Sequence, residues 1–133
     1  MIFVDTGAFL ARHVAGDQHH ARAAAGWERL AAERQAAFTS SLVLSETFTL
    51  LARRAGYAFA AQRARNVLDS RALTVLRSVE RQEREALEWF EKFADQGVSY
   101  ADCVSFILMR QHRIGRAFTF DRHFRLAGFE LYP

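Results

Sequence analysis

The chain has 133 residues, of which half are hydrophobic and twelve are phenylalanine. This length suits one domain with a substantial apolar core, and the composition excludes an intrinsically disordered chain. No apolar run approaches the ~20 residues of a membrane-spanning helix, and the N-terminus lacks the basic segment of an export signal. Because Cys103 is the only cysteine, no internal disulfide can form, and we predict a single cytoplasmic domain over residues 1–133.

The net charge of +3 comes almost entirely from arginine, since Lys92 is the only lysine. Arginine binds phosphate with a planar fork of donors, which makes RNA a reasonable partner. The arginines are nevertheless spread along the chain, and a composition rich in arginine and alanine is also typical of GC-rich coding sequence. The charge alone therefore does not decide for a nucleic-acid partner.

Short apolar strands alternate with helices along the chain. The predicted strands, in order, are residues 2–4, 36–39, 73–76, 116–120 and 129–132. The predicted helices are residues 8–14, 18–34, 42–55, 57–69, 79–94 and about 100–112, with a single helical turn over 122–127. The predicted N-caps are Ser40 or Ser41, Ser78 and Ser99. This alternation predicts a three-layer α/β/α domain on a short-stranded, mostly parallel sheet.

Four acidic residues are predicted to meet at the C-terminal edge of this sheet. Asp5 and Asp121 directly follow apolar strands, and Asp102 lies in the first turn of an apolar helix capped by Ser99. Glu46 interrupts a line of leucines on its helix and can reach the same edge. Each residue alone is also compatible with an ordinary cap, turn or surface position. Ligands of open parallel sheets bind at this edge, so the four acids as a set indicate a site.

Carboxylates that share one pocket repel each other, at about 3 kcal/mol for each ionised pair ~5 Å apart in an effective dielectric of ~20. Metal ions, protons or arginines must offset this repulsion. Oxygen ligands without a set of cysteines or histidines favour Mg²⁺ or Mn²⁺ over zinc, and such metals catalyse phosphodiester hydrolysis. The predicted catalytic and metal-binding residues are Asp5, Glu46, Asp102 and Asp121.

Three hydroxyl residues adjoin the acids in the sequence. Thr6, Ser99 and Thr119 are predicted to orient a carboxylate or a water molecule. His13 and His123 can approach the pocket, but no pair of histidines has the spacing of metal ligands. We therefore predict no catalytic histidine.

The chain contains four short motifs in a fixed order. They are Val4-Asp5-Thr6, Ser45-Glu46, Ser99-x-x-Asp102-Cys103-x-Ser105-Phe106, and the run Phe118-Thr119-Phe120-Asp121-Arg122-His123-Phe124 followed by Gly128-Phe129. In order and spacing, these motifs resemble the PIN-domain ribonucleases over nearly the whole chain. The most similar members are the VapC-type toxins of bacterial and archaeal toxin–antitoxin pairs.

The resemblance implies a Mg²⁺-dependent endoribonuclease in which the four acids match the acidic quartet of the family, with Asp5 and Asp102 as direct metal ligands. Thr119 matches the hydroxyl residue before the fourth acid, and Thr6 matches the small polar residue after the first. The resemblance further implies that metal-bound water attacks the RNA phosphate and leaves a 5′-phosphate and a 3′-hydroxyl. The implied partners are RNA, a VapB-type antitoxin whose tail places an arginine among the acids, and a second copy of the chain in a homodimer.

Two other functions stay open on the sequence alone. A PIN-like module that binds RNA or protein would keep the acids without turnover, and metal-dependent cleavage by the purified protein separates it from a nuclease. A phosphoacceptor domain like a response regulator would also place acids and Mg²⁺ at a sheet edge. That function requires a lysine at the end of a late strand, whereas Lys92 lies in a predicted helix.

Overall fold

The computed structural model describes residues 1–133 and contains five strands and seven helices. The strands are β1 (Ile2–Val4), β2 (Ala37–Ser40), β3 (Leu73–Leu76), β4 (Arg116–Phe118) and β5 (Glu130–Tyr132). The helices are α1 (Thr6–His13), α2 (His20–Ala32), α3 (Ser41–Ala55), α4 (Tyr57–Asp69), α5 (Glu80–Lys92), α6 (Tyr100–Gln111) and α7 (His123–Leu126). A short 3₁₀ turn covers Ala94–Gln96. No helix combines the length and the apolar character that crossing a bilayer requires.

The five strands form one parallel sheet in the order β3-β2-β1-β4-β5. The chain runs outward from β1 through β2 to β3, and it then returns to the other side of β1 for β4 and β5. The strand order therefore reverses between β1 and β4, and the carboxyl ends of these two strands flank the crevice where open α/β sheets bind ligands. The predicted three-layer α/β class is confirmed, and the sheet is wholly parallel where a mostly parallel one was predicted.

Phenylalanine rings fill the core between the sheet and its helices. The rings of Phe106 in α6 and Phe124 pack edge to face, nearly perpendicular to each other, with centroids 5.1 Å apart. Helix α6 is buried along its length from Asp102 to Met109. A charged residue in the first turn of so buried a helix is costly unless the site gives it a partner.

Two of the predicted N-caps are confirmed and one is wrong. Ser40 and Ser99 cap α3 and α6, each accepting a hydrogen bond at 3.1 Å from the backbone N–H three residues on. Ser78 does not cap α5, which begins at Glu80 after Val79. The backbone N–H of Val79 instead donates to the side chain of Gln82 at 2.9 Å, and the Ser78 hydroxyl donates to Glu83.

Strand β4 ends at Phe118, two residues before its predicted end. The Phe118 carbonyl still accepts the backbone N–H of Asp5, but the next residue leaves the ladder with β1. The hydroxyl of Thr119 accepts the backbone N–H of Asp121 at 3.0 Å, and this local bond turns the chain out of the sheet. Asp121 therefore lies in a loop beyond the sheet edge.

Helix α2 approaches β4 so closely that only glycine fits at position 26. A Cβ atom there would lie 2.7 Å from Cζ of the fully buried Phe118 ring. We expect Gly26→Ala to lower the free energy of unfolding by about 1–3 kcal/mol. This overpacking cost exceeds the ~1 kcal/mol that alanine gains over glycine in a helix. Urea denaturation measures the difference.

Gly16→Ala is the matched control for this prediction, because nothing lies within 4 Å of a Cβ at that position. Its stability is expected to stay within about 0.5 kcal/mol of the unaltered chain. A Gly26→Ala variant as stable as the Gly16→Ala variant would contradict the close packing of α2 on Phe118.

Candidate active site

Asp5 links the central strand to the first helix. It directly follows the buried strand β1 and occupies the N-cap position of α1, which begins two residues earlier than predicted. Its side chain is 6% exposed and accepts a hydrogen bond from the Thr119 hydroxyl at 2.8 Å. Thr119 therefore orients one acid through its side chain and, by accepting the N–H of Asp121, the backbone of a second.

Asp102 enters the site from the first turn of α6 and is 9% exposed. The Ser99 hydroxyl accepts its backbone N–H, so Ser99 fixes the start of the helix that carries this carboxylate. The structure thus places Ser99 beside Asp102 as predicted, with its contact made to the backbone.

Asp121 and His123 form a compact turn after β4. The Asp121 carboxylate accepts the backbone N–H of His123 at 2.9 Å, which is the geometry of an Asx turn. The turn folds the imidazole back, so that Nδ1 lies 3.2 Å from an oxygen of Asp121 and 3.7 Å from an oxygen of Asp102. This nitrogen is buried and has no hydrogen-bond partner in the chain.

Glu46 reaches the site from α3 and is the most exposed of the acids. It accepts a hydrogen bond from the Thr6 hydroxyl at 3.3 Å, and Thr6 in turn accepts one from Thr47 at 3.3 Å. Thr6 therefore contacts Glu46 with its hydroxyl, although the sequence places it beside Asp5.

One open cleft of about 580 Å³ joins these side chains. It is lined by Asp5, Thr6, Gly7, Leu10, Glu46, Gly97, Ser99, Asp102, Phe120, Asp121, Arg122 and His123. The structure thus brings all four sequence-predicted acids to one place.

The cleft holds more negative charge than its surroundings stabilise. Burial raises the pKa of Asp102 to about 8, and the charges of the other three acids add to the increase. Burial also raises the pKa of Asp5 to about 6, against the opposing effect of the hydrogen bond from Thr119. No arginine or lysine forms an ion pair with any of the four acids. At neutral pH the site must therefore retain protons or accept a cation.

The donor atoms in the cleft fit a divalent metal ion. Asp102, Asp121 and His123 each offer one ligand atom, and the three atoms lie within 4.8 Å of one another. Carboxylate oxygens suit Mg²⁺ and Mn²⁺, and an added imidazole nitrogen favours Mn²⁺ of these two. Nδ1 of His123 is buried without a hydrogen-bond partner, and a bound metal ion would supply that partner.

Of the two histidines that were expected to approach the pocket, only His123 does so. His123 lies among the acids, and the signal that could have located it is its position two residues after a loop aspartate. His13 does not approach the acidic cleft, so that expectation is wrong. It lines a separate cavity of about 390 Å³ beside Phe9 and Trp27, where burial lowers its pKa to about 4.

Comparison with known proteins identifies the family. The PIN domain matches residues 2–130 of the chain. The chain therefore belongs to the PIN-domain family, as its motifs predicted.

The VapC-type toxins are the relatives that this chain resembles in sequence. It is 38% identical over 129 residues to the 23S rRNA-specific endonuclease VapC20 of Mycobacterium tuberculosis, covering 97% of this chain and 95% of that protein. The crystal structure of that VapC20, a sarcin–ricin loop cleaving toxin, matches with a TM-score of 0.88 and 36% identity, and both chains are fully covered. The predicted resemblance to VapC-type toxins is confirmed.

More distant solved structures share the fold. VapBC2 from Rickettsia felis matches with a TM-score of 0.71 and 15% identity, covering 100% of each chain. FitAcB from Neisseria gonorrhoeae also matches with a TM-score of 0.71, at 16% identity, covering 100% of this chain and 97% of the other.

Proposed function

We propose that this chain is a divalent-metal-dependent endoribonuclease and the toxin of a VapC-type toxin–antitoxin pair. The observation that carries the proposal is a cleft of four acids, two of them buried with raised pKa values and none paired with an arginine or lysine. Of the three means that can offset their repulsion, arginine is not used within the chain, because Arg122 lines the cleft but forms no ion pair with any of the acids. A metal ion would offset the charge of the acids and would also supply the chemistry of phosphodiester hydrolysis.

Asp5, Asp102 and Asp121 would hold Mg²⁺ or Mn²⁺, with Glu46 and His123 beside them in the cleft. When bound, such a metal activates water and stabilises the charge that develops on the phosphate and the leaving oxygen. The chain's own residues fix the ligands for this task. Thr119 holds Asp5 in place, and Ser99 holds the first turn of the helix that presents Asp102.

The substrate class follows from the relative. VapC20 is named for cleavage of 23S rRNA at the sarcin–ricin loop, and this chain is 38% identical to it over nearly its full length. We extend that substrate class, a structured loop of ribosomal RNA, to this chain. The proposal includes the cytoplasmic location predicted from the sequence, because ribosomal RNA belongs to that compartment.

The proposed partners are a VapB-type antitoxin and a second copy of the chain. The unpaired carboxylates of the cleft offer a binding site for an arginine of the antitoxin, which would compete with the metal and the RNA.

Exposed Leu87 and Phe90 lie three residues apart on α5 and support a homodimer surface there. Light scattering tests this surface: Leu87→Glu with Phe90→Glu is expected to halve the mass, and a mass unchanged by the pair would contradict it.

Cleavage of a synthetic sarcin–ricin loop hairpin tests the proposed activity. The purified chain is expected to cut the hairpin once in Mg²⁺ or Mn²⁺, to stop when EDTA is added, and to resume when the metal is restored. Mapping of the ends is expected to show a 5′-phosphate. Binding of the hairpin without cleavage in either metal would favour the alternative function, a PIN-like binding module without turnover.

Thr119 is expected to be the most sensitive residue that is not itself a metal ligand. Thr119→Val removes the hydroxyl that orients Asp5 and receives the backbone N–H of Asp121, so we expect kcat/KM on the hairpin to fall by about 10–100-fold. Thr119→Ser retains the hydroxyl and serves as the matched control, with an expected loss below about 5-fold. Equal rates for the two variants would contradict the positioning role.

A further inference from the structure

A stacked pair of rings stands at the rim of the acidic cleft. Phe120 lines the cleft and lies between Thr119 and Asp121, two residues of the site. The His19 imidazole stacks on the Phe120 ring with a centroid distance of 4.3 Å and an interplanar angle of 5°. The pair joins the loop before α2 to the loop after β4, positions 101 residues apart in the chain.

The loop that carries His19 is held firmly in place. The Asp17 carboxylate accepts the backbone N–H of His19 at 2.8 Å, and it also pairs with Arg54 of α3 at 3.2 Å. The neighbouring His20 Nδ1 lies 2.7 Å from the carbonyl oxygen of Ala11 in α1. These contacts fix the backbone on both sides of the imidazole, so the ring is positioned before any ligand arrives.

The adjacent residues His19 and His20 differ in whether the imidazole ring has a hydrogen-bond partner within the chain. The ring of His20 is hydrogen-bonded to a backbone carbonyl, as expected of a partly buried histidine with a structural role. The ring of His19 is half-buried, and its nitrogens have no hydrogen-bond partner in the chain. Phe120 is the one aromatic ring on which it stacks, and its nitrogens are free of hydrogen bonds within the chain.

Positive charge adjoins the stacked rings. The guanidinium of Arg22 lies 5.2 Å from the centroid of Phe120, and Arg22 is exposed and has no acidic partner. Arg122 lines the cleft itself. A flat ring surface beside unpaired guanidinium groups is the combination with which proteins bind unpaired nucleotides, since every base has a face to stack and every nucleotide a phosphate.

We infer that His19, Phe120 and Arg22 form a stacking platform for one unpaired nucleobase of the RNA substrate, next to the phosphate that is cut. In this platform the base stacks on the face of His19 opposite Phe120, Phe120 packs against the other face of the imidazole, and Arg22 attracts the adjoining phosphate. The inference rests on the proposed function for its substrate class. It adds a specificity element outside the acidic quartet, because a base must be unpaired to reach the platform.

Steady-state cleavage of the sarcin–ricin loop hairpin tests the platform. His19→Ala is expected to raise KM about tenfold, within the range that one stacked base contributes, and to leave kcat within about twofold. His19→Phe keeps a stacking ring and is expected to restore KM to within about threefold. His112→Ala, at the exposed C-terminal end of α6, and Arg71→Ala, before β3, are the matched controls at the opposite edge of the sheet. Both controls are expected to leave KM unchanged.

Binding of the same hairpin in Ca²⁺, followed by fluorescence anisotropy, separates failure of the platform from failure of the proposed function. A hairpin that is bound in Ca²⁺ but is not cut in Mg²⁺ or Mn²⁺, with affinity lost in His19→Ala and regained in His19→Phe, would refute the nuclease and keep the platform. Cleavage and binding that are both the same in His19→Ala as in His112→Ala would overturn the platform and keep the nuclease. A loss in His19→Ala that His19→Phe fails to restore would also overturn it, because stacking would then not be the cause.

Discussion

Asp102→Asn is expected to reduce cleavage of RNA by about 10³-fold or more, since it removes a charge from the centre of the proposed metal site. Asparagine has nearly the same volume, and the Ser99 cap contacts the backbone N–H of residue 102, so helix α6 is expected to form as before. The measurement is single-turnover cleavage of the sarcin–ricin loop hairpin in saturating Mn²⁺.

Asp95→Asn is the matched control for this variant. Asp95 is exposed in the 3₁₀ turn before α6 and lines no part of the acidic cleft. It loses the same charge with no expected change in rate. An Asp102→Asn protein that still cuts within about tenfold of the Asp95→Asn protein would refute the assignment of Asp102 to the metal site.

The second large effect concerns pH. The metal-free protein is expected to lose on the order of 4 kcal/mol of stability as the pH rises from 5.5 to 8.5. Burial raises the pKa values of Asp5 and Asp102 in the folded state above the unfolded value of 3.8. Between these values the folded chain binds more protons than the unfolded chain, so their stabilising contribution is present below about pH 4 and is lost as the pH rises through about 6 and 8.

A metal ion is expected to reverse this trend, because it binds the deprotonated carboxylates in place of the protons. Thermal unfolding at pH 5.5, 7.0 and 8.5, with EDTA or with 10 mM MnCl₂ in the buffer, measures both effects. The increase in Tm caused by Mn²⁺ is expected to be several degrees larger at pH 8.5 than at pH 5.5.

Asp102→Asn provides the control for the pH experiment as well. Without the ionisable group at position 102, the metal-free protein is expected to be more stable than the unaltered chain at pH 8.5 and similar to it at pH 5.5. A stability curve that rises with pH in EDTA would show that the buried acids are stabilised as anions by the chain itself, and the need for a metal would then disappear.

The sequence was sufficient for the parts of the fold that local patterns determine. Helix α4 and strand β3 have their predicted ends. Gly56, which has a positive φ, ends α3 and so sets the start of α4, and polar residues bound the apolar run of β3. The meeting of Asp5 with Asp121 followed from a rule of topology, namely that parallel strands place their carboxyl ends together. The quartet was therefore within reach of the sequence.

The remaining features depend on contacts between distant segments. Nothing local to Thr6 indicates that its hydroxyl bonds Glu46, forty residues away, in preference to the neighbouring Asp5. The stacking of His19 on Phe120 joins two loops whose approach is set by the packing of α2 on β4. Ser78 was misassigned as a cap because Gln82 competes for the same helix end, and propensity alone does not rank the two.

The hydrogen bond between Thr119 and Asp5 has a consequence for synthesis of the protein. It joins residues 114 positions apart, and β1 receives one of its two neighbouring strands only when β4 has been made. A nascent chain therefore carries Asp5, Glu46 and finally Asp102 out of the ribosome without an assembled cleft. The cleft requires almost the whole chain. A ribosome is therefore exposed to the proposed nuclease that it is synthesising only when translation of that message is nearly complete.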